Sequence, residues 1–94
     1  MDIEEKVGVV TDYLDRIGVA VIHLSDGELR VGGRVRIAGR TTEFTQTVES
    51  LQIEHQPVAE ASRGSEAAMK VQGPVRRHDQ VFRVRDETGG TSLS

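Results

Sequence analysis

The sequence predicts an all-β fold, namely a small antiparallel Greek-key β-barrel of six or seven strands. Its apolar residues occur in short runs rich in valine and isoleucine, separated by glycine and proline turns, and no segment shows a long 3.6-residue period. The chain has 94 residues, which is enough for one domain. A barrel is favoured over an open sheet because so small a sheet would otherwise leave its edge strands exposed.

Six strands are predicted in order along the chain, over residues 6–13, 17–24, 34–38, 44–55, 66–71 and 80–84. The second, IGVAVIHL, is a nearly continuous apolar run, which is typical of a strand covered on both faces. In the fourth strand the alternation slips between Val48 and Leu51, which indicates a β-bulge near residues 49 and 50. Pro57 is predicted to end that strand, because proline cannot donate to a β-ladder.

The third strand shows the clearest alternation. If Val35 and Ile37 fill the core, Arg34 and Arg36 must face outward. The same reasoning applied to every strand predicts a core of Val19, Val21, Val35, Ile37, Val48, Leu51, Ile53, Met69, Val71 and Val81.

Charge is distributed unevenly along the chain. The formal net charge is −3, but residues 6–85 contain ten acidic and twelve basic residues, and ten of those twelve are arginine. The predicted organisation is therefore an acidic N-terminal arm (residues 1–5), the barrel (residues 6–85) and a flexible C-terminal tail (residues 86–94).

Several classes of function are not indicated by any motif. The chain has no cysteine, and its three histidines lack the spacing of metal ligands. There is no GxxxxGK[ST] loop for GTP and no Ser/His/Asp arrangement for nucleophilic catalysis. No apolar run approaches the roughly 20 residues that span a bilayer, and the start of the chain is acidic. We therefore expect a cytoplasmic protein that is not an enzyme, needs no metal or cofactor, and binds neither GTP nor membranes.

Two groups of arginines are the candidate binding residues. Arg30, Arg34, Arg36 and Arg40 fall within eleven residues, and Arg76 and Arg77 precede His78 on a loop. Both groups could contact the phosphates of ribosomal RNA or tRNA. The alternative is a solvated strand face on which acids such as Glu43 or Glu49 neutralise the arginines.

Four motifs follow one another along the chain, namely GELRVGGRVRIAG (residues 27–39), VESLQ (48–52), VAEASRGS (58–65) and HDQV (78–81). In this order they resemble the second domain of elongation-factor-Tu-type translational GTPases. The resemblance implies the barrel fold, and it places Glu49, Arg63 and Glu66 beside a family pocket. The chain departs from the family pattern at Gly33 and Ser65, where aspartate is usual. At His78 the family prefers glycine, which implies a positive φ angle at this residue.

The function expected from this resemblance is a free-standing, translation elongation factor-like binding module without catalytic activity. It would contact ribosomal RNA, tRNA or a translation factor. Because similar barrels also end collagenase-like peptidases, two alternatives stay open. One is a protein–protein adaptor. The other is an accessory barrel for a separately encoded collagenase-like peptidase or RNA-modifying enzyme.

Overall fold

A computed structural model of the chain describes residues 2–86, which form ten β-strands and no helix. The strands are β1 (Asp2–Leu14), β2 (Val19–His23), β3 (Leu29–Arg30), β4 (Arg34–Ala38), β5 (Glu43–Thr47), β6 (Leu51–Ile53), β7 (Gln56–Val58), β8 (Glu60–Ala61), β9 (Glu66–Lys70) and β10 (Gln80–Asp86). All strand pairs are antiparallel, which confirms the predicted class. The count exceeds six or seven because β3, β7 and β8 are short strands in regions predicted to be turns or loops. No helix in the described part of the chain could span a membrane.

Eight strands form one sheet in the order β5-β4-β10-β1-β2-β9-β6-β7, and β3 pairs with β8 in a second sheet. β5 lies at one edge of the large sheet, whereas the next strand in the chain, β6, lies near the other edge. Residues 48–50 connect them, so the chain itself joins two distant parts of the sheet. This segment is anchored on the turn before β4, because the Gly32 N–H donates to the Val48 carbonyl oxygen and the Val48 N–H donates to the Gly33 carbonyl oxygen, at 2.9 and 2.8 Å.

The large sheet curls without closing its backbone ladder, and one buried side chain bridges the gap. Gln46 on β5 is 4% exposed. Its Nε2 donates to the Lys70 carbonyl oxygen at 2.9 Å, and its Oε1 accepts the Gln72 N–H at 2.8 Å. The side-chain amide therefore replaces the ladder hydrogen bonds between β5 and the end of β9.

The core lies inside the curled sheet and is almost entirely aliphatic. Seven predicted core residues are buried: Val35, Ile37, Val48, Leu51, Met69, Val71 and Val81. The prediction was wrong for the other three, since Val19, Val21 and Ile53 are only half-buried. On β2 it is Ala20 and Ile22 that point inward, each with 0% exposure. Alternation alone could not identify the inner face, because both faces of this strand are apolar.

Three other predictions about the elements differ from the structure. The predicted strand over residues 44–55 is divided into β5 and β6 at the position where the bulge was expected. Pro57 lies within β7, an edge strand that tolerates its missing N–H. Residues 2–5 are the start of β1 and pair with β10, so they do not form a separate arm. Asp86 ends β10, and the remainder of the predicted tail lies outside the described residues.

Positive φ angles mark the tight turns. Gly32 and Gly64 have φ angles of 95° and 94°. His78 has a φ of 77°, as expected from its position in the fourth motif. Glu54 and His55, the two turn residues of the β6–β7 hairpin, have φ angles of 51° and 66°. Such angles at both central residues suit the twist of a hairpin, but asparagine and glycine usually occupy these positions.

Candidate functional site

Arg36 faces outward from β4 as predicted, but acidic side chains surround it. Its Nε and Nη2 donate to the two carboxylate oxygens of Glu43 at 2.6 and 2.7 Å, and its Nη1 donates to Glu4 at 2.9 Å. The guanidinium also lies 5.5 Å from the centre of the Phe82 ring. Hydrogen bonding to Glu43 raises the pKa of Arg36, and the same interaction lowers the pKa of Glu43. This arginine matches the alternative of a neutralised strand face, with Glu43 as the partner.

The neighbouring strand β10 continues this pattern of ion pairs. Arg83 donates to Glu5 at 2.7 Å and lies 3.8 Å from Glu28, while Arg85 lies 3.9 Å from Glu5. The hydrogen bond from Arg83 is the main cause of the lowered pKa of Glu5. Glu4 and Glu5, at the start of the chain, therefore pair with arginines on the outer face of β4 and β10.

Two of the other three members of the first arginine group, Arg30 and Arg34, behave differently from Arg36. Arg30 pairs with Glu60 across the β3–β8 ladder at 3.6 Å, and both side chains are largely exposed. Arg34 is exposed, and within residues 2–86 it has no acidic partner. Neither of them lies with Arg40, so the first arginine group is not one continuous surface.

Arg40 instead meets the second arginine group. The loop after β4 and the loop before β10 enclose a depression of about 750 Å³, which we call the basic cleft. The ionisable residues of its lining are Arg40, Arg76, Arg77, His78 and Asp79. Arg77 lies 3.8 Å from Asp12, whereas Arg40 and Arg76 have no side-chain partner in the described part of the protein.

Asp79 lies where the two loops of the basic cleft meet. It is 4% exposed, and its carboxylate accepts the N–H of Arg76 at 2.9 Å. Gly39 packs directly against the same carboxylate, where a Cβ atom would clash. The His78 N–H donates to the Val10 carbonyl oxygen at 2.8 Å, which ties the second loop to β1. The arginines of the cleft thus project from a fixed framework.

A second depression, which sequence reasoning missed, lies on the outer face of β2, β6 and β9. We call it the apolar groove. It encloses about 710 Å³, and its apolar lining includes Leu14, Ile17, Val19, Val21, Ile53 and Ala68. Glu54, His55 and Glu66 are the ionisable residues that line it. The signal for it was the second apolar face of β2, which was interpreted as part of the core.

The three residues that the resemblance assigned to a family pocket are only partly brought together. Glu66 lines the apolar groove, whereas Glu49 and Arg63 are exposed and do not line it, although their neighbours Ser50 and Gly64 do. No group of three or more metal-ligating side chains is present in residues 2–86.

Comparisons with known proteins identify relatives among proteases. Two collagenases of Porphyromonas gingivalis are each 36% identical to the chain over 78 residues, which is 82% of this chain and 22% or 19% of the collagenase. A protease of Methanocaldococcus jannaschii, described as uncharacterized, is 30% identical over 82 residues, or 86% of this chain and 20% of the protease. The chain thus spans about a fifth of the length of the curated relatives it matches. No protein-family model matches it.

Solved structures with the same fold include the C-terminal domain of a candidate U32 peptidase from Geobacillus thermoleovorans. The TM-score is 0.78 at 23% identity, and the match covers 84% of this chain and 91% of that domain. The selenomethionine form of the domain gives a TM-score of 0.77 at 24% identity, covering 82% and 96%.

These relatives overturn the expected identity. The chain resembles part of collagenase-type proteases, so the expectation of a translation elongation factor-like protein with a role in protein biosynthesis was wrong. The four motifs consist of glycine turns, alternating strands and a bulge, which any small barrel of this shape requires whatever its function. The sequence similarity favours instead the alternative of an accessory barrel for a collagenase-like peptidase, and the solved domain has the same fold.

Proposed function

We propose that this chain is a non-catalytic accessory domain of a collagenase-like peptidase. The observation that carries the proposal is the 36% identity over 82% of the chain to about a fifth of a collagenase. The shared fold with a separately solved C-terminal domain supports it, because that domain forms a unit of similar extent. A small domain without catalytic residues contributes to activity most simply by binding the rest of the enzyme.

The hydrogen bonds of two buried polar side chains support a structural role for this domain. Gln46 and Asp79 are both nearly inaccessible, and each one accepts a hydrogen bond from a backbone N–H. Gln46 joins β5 to β9, and Asp79 fixes the loop of the basic cleft. Their polar atoms are thus engaged in holding the fold together.

The proposal can be tested with a chimera. In the Porphyromonas gingivalis collagenase, the matched 78-residue segment is replaced by the corresponding part of this chain. We expect the chimera to retain collagenase activity, the collagenase without the segment to lose it, and the isolated domain to have none. A chimera as inactive as the deletion, or peptidase activity in the isolated domain, would contradict the proposal.

A second candidate function is RNA binding through the basic cleft. The specific observation in its favour is the convergence of Arg40, Arg76 and Arg77 on one depression, with two of them lacking an acidic partner in the part of the chain described. Arginine suits phosphate because its planar guanidinium donates two parallel hydrogen bonds.

The RNA hypothesis predicts a change in salt dependence. Substituting the three cleft arginines by serine should weaken binding to structured RNA and reduce the salt slope by about 0.7–0.9 for each phosphate that the protein no longer neutralises. Arg34→Ser is the matched control, because Arg34 is exposed and lies outside the cleft. If the parent protein does not bind RNA at low salt, the cleft has another role.

A cytoplasmic location is also part of the proposal. The sequence favours the cytoplasm, and fractionation of cells that express the tagged protein would test this. Recovery of the protein outside the cytoplasm would contradict it.

A further inference from the structure

The outer face of β2, which lines the apolar groove, carries valines like those of an inner face. On β2, inward-facing Ala20 and Ile22 are completely buried, while Val19 and Val21 on the opposite face are only half-buried. A strand that is apolar on both faces is normally covered on both faces. Within residues 2–86, only the inner face is fully covered.

One end of the groove carries two of the four exposed large hydrophobic side chains of the described residues. Leu14, at the end of β1, and Ile17, in the turn between β1 and β2, are 42% and 62% exposed and line the groove. Scattered apolar side chains are ordinary on a protein surface, but here they line a concave surface together with a few polar groups, which is a composition typical of a binding site. The volume of about 710 Å³ is sufficient for several side chains of a partner.

The charges of the groove indicate what kind of partner fits. Glu54 and Glu66 line it, no lysine or arginine does, and neither glutamate has an ion-pair partner among the described residues. A partner with a lysine or arginine beside its apolar segment would complement these carboxylates. A second copy of this chain, docked groove to groove, would instead bring like charges together.

The β6–β7 turn provides an independent indication. Glu54 and His55 both have positive φ angles, and each costs about 1 kcal/mol or more in a residue other than glycine. Both residues line the groove. Unfavourable backbone angles that persist at a concave surface are more common at binding sites than elsewhere.

We propose that the apolar groove is the surface through which this domain docks on the main body of the peptidase. The occupant is an apolar segment of that body with a lysine or arginine positioned to meet Glu54 or Glu66. This inference rests on the proposed function, because the body is the four fifths of the collagenase relatives that the chain does not match. A body of that size, present in the same polypeptide in those relatives, is available to cover the groove.

The test compares side-chain labelling by hydroxyl-radical or carbene footprinting in the isolated domain and in the collagenase chimera. We expect labelling of Leu14, Ile17 and Ile53 to fall by about threefold or more in the chimera, as for side chains that enter an interface core. Val31 is the internal control, because it is 42% exposed and lies outside the groove. Its labelling should not change.

Collagenase activity, measured on the same chimera, separates the two proposals. Protection of the groove in an active chimera supports both, and an active chimera with an unprotected groove overturns the docking surface alone. An inactive chimera with a protected groove supports docking and contradicts the accessory role. An inactive chimera without protection overturns both proposals.

A pair of substitutions checks the assignment of the surface. Ile17→Asp should restore labelling of Ile53 in the chimera to the level of the isolated domain, because it places a carboxylate in the interface. Val31→Asp, at an exposed apolar residue elsewhere, should leave Ile53 protected. Glu54→Lys with Glu66→Lys should also expose Ile53 if the partner carries a basic residue. If labelling of Ile53 in the chimera stayed low in all three variants, the proposal would be overturned.

Discussion

Gly39 and Asp79 illustrate how a single close contact supports a surface. Asp79 is buried, yet its carboxylate is stabilised by the backbone N–H of Arg76. Gly39 lies against the same carboxylate and leaves no room for a side chain. The two residues together set the spacing between Arg40 on one loop and Arg76 on the other.

Gly39→Ala should therefore destabilise the protein. The added methyl group would push Asp79 away from Arg76, and overpacking of this kind costs about 1–3 kcal/mol. Urea denaturation measures the free energy of unfolding. Gly73→Ala is the control and should change it little, because a Cβ there would lie at an ordinary distance of 3.7 Å or more from Phe44. Equal stability of the two variants would contradict this account of the loops.

The ion pairs of Arg36 and Arg83 predict how stability depends on pH. The pKa values of Glu43 and Glu5 are lowered in the folded protein from an ordinary value of 4.5. Their contribution to stability is thus fully present above that value, and it is lost as the pH falls through the lower folded-state pKa values. Because these carboxylates are exposed, salt should weaken the effect.

Arg36→Met tests this dependence, since the methionine retains apolar contact with Phe82 but not the charge. Denaturation curves measured from neutral to strongly acidic pH should show a smaller loss of stability below pH 4.5 than in the parent. Arg34→Met, at an arginine without an acidic partner in the structure described, should follow the parent. If both variants retained the parent's pH dependence, Glu43 would not be its source.

At the scale of the elements, the crossing from β5 to β6 decides the shape of the sheet. These strands pair with β4 and β9 respectively, on distant sides of the strand order. The gap that the crossing leaves between β5 and the end of β9 is spanned by the side chain of Gln46. One side-chain amide thus links the two ends of the curl at this point.

Gln46→Leu should destabilise the protein by about 1–3 kcal/mol, because it leaves the Lys70 carbonyl and the Gln72 N–H without their partner. Hydrogen exchange at the Gln72 amide should become faster than in the parent. Thr45→Val, at an exposed position of the same strand, is the control and should have a small effect on both measurements. An unchanged exchange rate at Gln72 would show that the bridge is not formed in solution.

The positions of the strands were predicted from the sequence more accurately than the buried face of each strand or the pairing between strands. Val35 and Ile37 were assigned correctly, because the arginines that alternate with them, Arg34 and Arg36, make only one inner face acceptable. Val19 and Val21 were misassigned, because both faces of β2 are apolar and periodicity cannot separate them. An irregularity near Val48 was predicted, but as a bulge within one strand, because local pattern does not reveal that β5 and β6 pair with different neighbours.

The candidate sites were predicted less well, because they depend on which loops meet. Arg40 was grouped with Arg34 by proximity in sequence, whereas the fold places it with Arg76, far along the chain. The neutralisation of Arg36 by Glu4 joins residues 32 positions apart, so spacing could not indicate it. The apolar groove likewise combines residues from β1, β2, β6 and β9.

At the scale of the whole molecule, the acidic start of the chain has two roles. Residues 2–5 pair with β10, and Glu4 and Glu5 neutralise arginines on the outer face. One side of the protein is therefore held by ion pairs, whereas the basic cleft keeps arginines without acidic partners in the region described.

Deletion of residues 1–5 should lower the free energy of unfolding, because it removes a hydrogen-bonded part of β1. It also changes the formal net charge from −3 to 0 by removing three acids. The variant Glu4→Gln with Glu5→Gln keeps the strand and removes only the charges of Glu4 and Glu5, so it should lose less stability in thermal or urea denaturation. If the deletion left stability unchanged, these residues would be a separate arm, as the sequence alone suggested.

The pairing of β1 with β10 has a consequence for the way this domain can be joined to other polypeptides. Asp2 lies opposite Asp86, so the first and last strands enter and leave the fold side by side. A short linker between them would close the chain into a ring, and new ends could then be opened at an exposed turn such as that of Glu54 and His55. The same geometry suits insertion of the domain into a surface loop of a host protein. The two cut ends of that loop would need to lie only about 5 Å apart, which is the distance between neighbouring strands.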